Sequence, residues 1–280
     1  MNRFSLFSLF VITSCTNFPL IDKFSNCSFP SNNPYPGGMI NYTLEDNEID
    51  QKKKLEIEDL KYEICGSSVN PVSLIIPIPL SYQKNHIKII QSNELIASIK
   101  IENKMYRESR IVIENQNLVT PPEYMQERIN KEYLKGVKLK NIYTPGEKTS
   151  KEMILPLEGI KSSEFGVRRF INGQPKNRHT GLDLAADEGV SIVVPLKGKV
   201  ILADNFFYKG NVIYIDHGNG LITSYSHLSK KLVVEGQSVS KGERLGLVGS
   251  TGRVTGPHLH WEVYFLGIPI NPEIFVKQGS

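Results

Sequence analysis

From Glu152 to Ser280 the chain is a succession of short strand-like runs, "SIVVPLKGKVILAD", "GNVIYIDHG", "LITSYSHLS", "LVVEGQSVSKGERLGLVGS" and "LHWEVYF", broken by glycine every several residues. Runs of this length, rich in β-branched residues and closed by glycine turns, do not make long helices. They demand a compact sheet assembly with tight corners, and they predict a mainly β fold. Four of the six histidines fall in this half between His217 and His260, and a fifth is His179.

The preceding part is β-rich in a different way. "MINYTLE", "VSLIIPIPLS", "HIKII", "IASIKIE" and "SRIVIE" read as short strands, giving a small β-sandwich-like module over residues 37–118. Pro77 and Pro79 predict that their strand is an edge or is irregular. Residues 121–135, "PPEYMQERINKEYLK", open on two prolines and repeat Met125, Ile129 and Leu134 at near-helical spacing. They predict a connecting helix, followed by a polar linker, within residues 119–150. The C-terminal domain then takes residues 151–280. A chain of 280 residues suits this arrangement of two modest domains with tails.

The N-terminus has targeting character. "MNRFSLFSLFVITSC" carries Arg3, an apolar stretch from Phe4 to Ile12 and small residues before Cys15, as a secretory signal over residues 1–15 would. Ile12-Thr13-Ser14-Cys15 resembles a bacterial lipobox, which would put a lipid on Cys15 and attach the chain to a membrane. A plain cleaved signal is the other reading. Residues 16–36 read as a linker. The expected location is outside the cytoplasm, in the cell envelope and most simply the periplasm. There Cys27 and Cys65 would be free to pair. A net charge of +4 with scattered lysines argues against nucleic acid as a partner.

"TGRVTGPHLHWEV" sets two histidines one residue apart. On a strand, His258 and His260 share a face while Leu259 and Trp261 take the other. "NRHTGLDLAA" adds His179 and Asp183, four apart, with Gly181 between them arguing for an extended segment rather than a helix. A catalytic zinc site draws three protein ligands from such residues and leaves a fourth place for water. His179 and Asp183 would supply two ligands and one of the His258/His260 pair the third, leaving the other as a base. His227 in "YSHLS" joins the same group of metal-competent residues.

The motifs "FGVRR", "HTGLD", "GNVIYIDHG", "SYSHLS", "GQSVSKGERLGLVGSTGRVTGPHLHWEV" and "INP", in order from Leu155 to Pro272, resemble the LytM/lysostaphin-type zinc endopeptidases, metallopeptidase family 23. The upstream module resembles the β-sandwich of exported family members. The resemblance implies a peptidase domain of the duplicated hybrid motif type and one zinc ion per chain, held by His179, Asp183 and His260. It casts His258 as the base and His227 as the second catalytic histidine. It implies a peptidoglycan hydrolase that cuts stem-peptide cross-links by attack of a zinc-bound water. A catalytically silent activator of a cell-wall amidase, lacking ligands, is the alternative; here none of the five residues is replaced.

The remaining candidates carry less. His217 and His86 read as structural and surface histidines. Arg168, Arg169 and Arg253 are candidates for bordering a groove and meeting a stem-peptide carboxylate. Asn172-Gly173 or a segment near Gln116 could cover the site until a regulatory protein partner displaced it.

Overall fold

A computed structural model describes residues 29–44, 54–67, 70–146 and 150–276. The proposed signal, Cys15 and Cys27 lie outside the described residues. Among the described residues no helix is long and apolar enough to cross a membrane.

Two small antiparallel sheets build the upstream module. One runs Met39–Leu44, Asn70–Pro77, Glu63–Ser67, and the other Leu55–Glu56, His86–Gln91, Glu94–Lys100. Ile87 and Ile89 are buried while His86 and Lys88 are exposed, the period of two expected of a strand with one face in a core. They meet Ile40, Leu74 and Ile76 between the sheets. Ile75 points the opposite way and joins Met39 and Cys65 in the cluster that also holds Leu182, Trp261 and Phe265. The unbroken apolar run around Ile75 therefore has two destinations, one within the module and one against the C-terminal domain. Each such fully buried isoleucine contributes about 1.5–3 kcal/mol. The end of the tract read as a linker is tied down as well, since the Phe29 ring packs 4.7 Å from that of Phe265.

Pro77 does not mark an edge. Its strand is the middle one of its sheet. Ile78 exchanges hydrogen bonds with Gly37 and Gly38, so Pro77, one residue away, aims its nitrogen at the other neighbour. That neighbour begins at Glu63, opposite Ile75, and has no donor requirement at Pro77.

The connecting helix runs Glu123–Lys140, past the predicted residue 135, after a short turn Gln116–Val119. Its packed face holds Ile129, Gly136 and Leu139, whereas Leu134 is exposed. The 3.6-residue period from Ile129 passes through positions 136 and 139 and leaves 134 on the solvent side.

The C-terminal domain is one antiparallel sheet in the order Ser238–Val239, Gly198–Phe206, Gly210–Asp216, Leu221–Leu228, His258–Phe265, Leu182–Ala185, Ile160–Ser163. One face meets the small sheet of Ser191–Val193, Arg244–Leu247 and Lys230–Lys231 through Ile192, Leu245, Tyr225, Leu259 and Trp261. The other face carries the connecting helix, packed through Leu139 on Tyr214, Ile222 and Tyr264. Glu108–Ile111, read as the end of the module, pairs in parallel with Arg168–Ile171 beside this second face.

Candidate metal centre

The second face of the sheet collects the chemistry. Asp183 and His260 are direct partners across antiparallel strands, with Ala185 opposite His258. Strand alternation turns His258, His260 and Glu262 to this face and buries Leu259, Trp261 and Val263 completely on the other. His179 lies just before its strand, where its backbone N–H donates to Val167 and its carbonyl accepts from Gly166. A Cβ on Gly181 would stand 2.5 Å from the Trp261 carbonyl and 2.8 Å from the His260 ring. Only glycine lets this segment lie so close to the neighbouring strand.

His227 reaches the same face by breaking the alternation. Asn211 pairs with Leu228 and Ile213 with Tyr225, so one extra residue is inserted between them. His227 takes up that residue with φ of +69°, the left-handed region that costs a non-glycine residue about 1 kcal/mol or more. Tyr225 and Leu228 stay in the core while His227 turns out. Its ring centroid sits 4.9 Å from that of His258 and 5.8 Å from that of His260.

Three atoms converge. His179 Nε2 is 2.9 Å from Asp183 Oδ1, His260 Nδ1 is 2.7 Å from the same oxygen, and the two nitrogens are 3.0 Å apart. His179 Nδ1–H donates to the Glu164 carbonyl at 2.6 Å, and a carbonyl can only accept, so in the neutral ring Nε2 has only a lone pair. That lone pair faces a carboxylate oxygen, also an acceptor. Two acceptors at 2.9 Å repel unless they share a cation, so two imidazoles and a carboxylate in this arrangement fit a zinc-type ion. The three form the one such cluster among the described residues.

Charge balance follows from burial and pairing. Burial lowers His179, and Asp183 only partly offsets this. Burial alone would raise Asp183, but the bonds to His179 and His260 hold its carboxyl well below the usual range. Burial disfavours charge on His260 too, yet Glu262 and Asp183 outweigh it and raise its pKa. His227 is driven well below its ordinary value by burial and then by His260 and His258, and burial also lowers His258. Both rings donate Nδ1–H to backbone carbonyls, His227 to Thr251 at 2.8 Å and His258 to Gly256 at 2.9 Å. Each therefore keeps an Nε2 lone pair, and that of His258 lies 4.0 Å from Asp183 Oδ1.

One residue of the site was not assigned from the sequence. Glu262 is 3.5 Å from His260 Nε2 through Oε1 and accepts from Thr180 Oγ1 at 2.7 Å, from Ser224 Oγ at 2.6 Å and from Lys209 Nζ. It holds the far side of the His260 ring and leaves Nδ1 for Asp183. The signal was present, because Glu262 is two residues from His260 and shares its strand face.

The other expectations separate. His217 donates Nδ1–H to Lys197 and accepts from Thr223, buried away from the cluster, and His86 is exposed. Arg168 is a rim residue near Glu108, while Arg169 pairs with Asp183 at 2.5 Å. Asn172 does not cover the site: its amide accepts from Ile113 N–H and donates to Ile113 O. The segment before Gln116 instead forms a wall, with Ile111 and Ile113 lining the cleft that opens on His179, His227 and His260.

Residues 177–272 match the family model described as Peptidase family M23. The chain is 50% identical over 114 residues to the peptidoglycan DD-endopeptidase ShyA of Vibrio cholerae, a match covering 39% of this chain and 26% of ShyA. It is 42% identical over 111 residues to the DD-carboxypeptidase/endopeptidase Mpg of Neisseria meningitidis, covering 40% of this chain and 26% of Mpg. The chain thus spans about a quarter of the length of these two relatives. A crystal structure assigned to peptidase M23 from Pseudomonas aeruginosa matches with a TM-score of 0.66 at 27% identity, over 87% of this chain and 95% of that one.

Proposed function

We propose that the chain, whose residues 177–272 match the model of Peptidase family M23, is a zinc-dependent endopeptidase that hydrolyses peptide cross-links of bacterial peptidoglycan. The observation that carries this reading is the acceptor trio of His179, Asp183 and His260 with two further imidazoles, His227 and His258, opened toward it through Nε2. The relatives named as peptidoglycan DD-endopeptidases favour the D-alanyl cross-link.

His179, Asp183 and His260 would hold the zinc. When bound, such an ion acidifies water and polarises a carbonyl, so that an amide becomes open to attack. His258 then works as the base. Its Nδ1 proton is committed to Gly256, so Nε2 is the atom that takes a proton from the attacking water and returns it to the leaving amine. His227 is held in the same tautomer by Thr251, so it can donate to the developing oxyanion only once Nε2 is protonated. Glu262 fixes the orientation of His260, with its charge balanced by Lys209.

The working location in this reading is the cell envelope. Cys65 is buried and disulfide-bonded, as suits an oxidising compartment, and the N-terminal sequence carries an export signal with Cys15 available for a lipid. Purified peptidoglycan incubated with the zinc-loaded chain tests the proposal. Release of cross-link cleavage products, identified by mass and abolished by a chelator, is the expected result. Purified protein that holds no zinc and leaves the cross-links intact would instead favour the silent amidase activator.

A further inference from the structure

The cleft beside the metal cluster has a volume of ≈ 890 Å³, and its lining is strongly cationic. Its two carboxylates are both engaged. Glu262 is bound by Lys209 and Ser224, and Glu132 accepts from Arg128 Nε and from the Phe207 backbone N–H, each at 2.6 Å. Most of the cations are engaged too. Arg169 is held by Asp183, Lys209 by Glu262, and Lys176 donates to Gln174 and to the Val119 carbonyl.

Two cations of the lining remain: Lys140, whose Nζ lies 5.0 Å from the Tyr264 ring centroid, and Arg253. Among the described residues its guanidinium has no hydrogen-bond acceptor; it lies 4.3 Å over the Tyr208 ring. Burial lowers its pKa, Tyr208 offsets this only in part, and the nearby Arg169 opposes its charge further. Its position is nevertheless well fixed. Arg253 N–H donates to the Tyr208 carbonyl at 3.0 Å, Thr251 Oγ1 donates to Leu228 O at 2.9 Å and accepts from Asn211 N–H at 3.0 Å, and Thr251 O receives the His227 ring proton. A half-buried guanidinium stacked on a ring, with its donor fork open beside a catalytic-type histidine, is the arrangement that binds a carboxylate bidentately.

We propose that Arg253 is the carboxylate-binding residue of this cleft, and that the peptide taken by the site carries a free carboxylate close to the amide presented to His179, Asp183 and His260. Of the three arginines visible in the sequence as groove candidates, the structure singles out this one. Arg168 lies at the rim by Glu108 and Arg169 is bound to Asp183. The assignment rests on the peptidase reading above. It adds a demand on substrate charge that the metal cluster itself does not make. The carboxylate can belong to a diamino-acid residue at the cross-link or to a chain terminus, and Arg253 recognises the same group in either case.

The test is a binding comparison on the zinc-loaded full chain, with cleavage followed in parallel. The probes are fluorescein-labelled cross-linked stem-peptide dimers, one with all carboxylates free and others with the diamino-acid or the terminal carboxylate converted to carboxamide. The free form is expected to bind at least about 10-fold more tightly than one of the amidated forms, which identifies the source of the carboxylate. In Arg253→Gln that ratio should fall to near one, and in Arg253→Lys, which keeps the charge but not the fork, it should be intermediate. Equal affinities of wild type for every form, an undiminished ratio in both variants, or no binding of any form would overturn the assignment. Binding governed by Arg253 without any bond cleavage would leave the subsite standing and overturn the peptidase reading.

Discussion

His227 and His258 stand with ring centroids 4.9 Å apart, and both donate Nδ1–H to a backbone carbonyl, of Thr251 and Gly256 respectively. Neither shares the 2.7–3.0 Å contacts that bind His179, Asp183 and His260 together. Four imidazoles in one space thus divide into two that converge on Asp183 and two that keep a free acceptor.

The first prediction uses that division. His258→Ala and His227→Ala should each lower cross-link cleavage by about 10²–10⁴-fold while zinc content stays near one per chain. His179→Ala and Asp183→Ala should lose the metal as well as the activity. Muropeptide release and elemental analysis on the same samples separate the two classes, and metal loss in His258→Ala would reverse its role.

Glu262→Gln should weaken zinc binding by about 10–100-fold, read by competition with a chelator of known affinity, because the His260 ring loses the carboxylate behind it. The same change leaves Lys209 without its counter-charge. Unfolding in denaturant should therefore show a loss of about 3 kcal/mol, and Lys209→Met in the Glu262→Gln background should restore part of it.

Gly181→Ala is a steric test. The new methyl group would meet the Trp261 carbonyl at 2.5 Å and the His260 ring at 2.8 Å, so the segment joining His179 to Asp183 must move. Reduced metal affinity with a thermal midpoint several degrees lower is expected. An unchanged affinity would show that the segment relaxes without disturbing its two site residues.

His217 should make stability pH-dependent. Burial depresses its pKa from 6.5 to about 4, and it is held neutral between the Lys197 carbonyl and Thr223. The unfolded chain binds that proton more readily, so the contribution is fully present above pH 6.5 and is lost as pH falls toward 4. Between pH 7 and pH 5 this amounts to about 2 kcal/mol. Denaturant unfolding at the two pH values should show that much less pH sensitivity in His217→Gln than in wild type; identical sensitivity would remove His217 as the cause.

The sequence carried much of this site because its logic is periodic. His258, Leu259, His260 and Trp261 alternate as a regular strand must, and Gly181 marked an extended approach of His179 to Asp183. What it hid was departure from period. His227 should share a face with Tyr225, and only the inserted residue sends one to the core and the other to the metal cluster. Pro77 misled for a related reason. Whether a missing donor matters depends on where the neighbouring strand begins, and that is set by residues far away in the chain. Leu134 shows the same limit, since a near-helical spacing does not fix which turn of a helix meets its support.

The parallel pairing of Glu108–Ile111 with Arg168–Ile171 bears on how the domain can be handled in isolation. A fragment starting at residue 151 would carry Arg168–Ile171 with one side stripped of its partner strand, leaving a row of open backbone donors and acceptors at the mouth of the cleft. Such an edge recruits whatever extended chain it meets, including another copy of the fragment. Shortening this protein to its metal-binding half therefore removes a built-in safeguard against self-association.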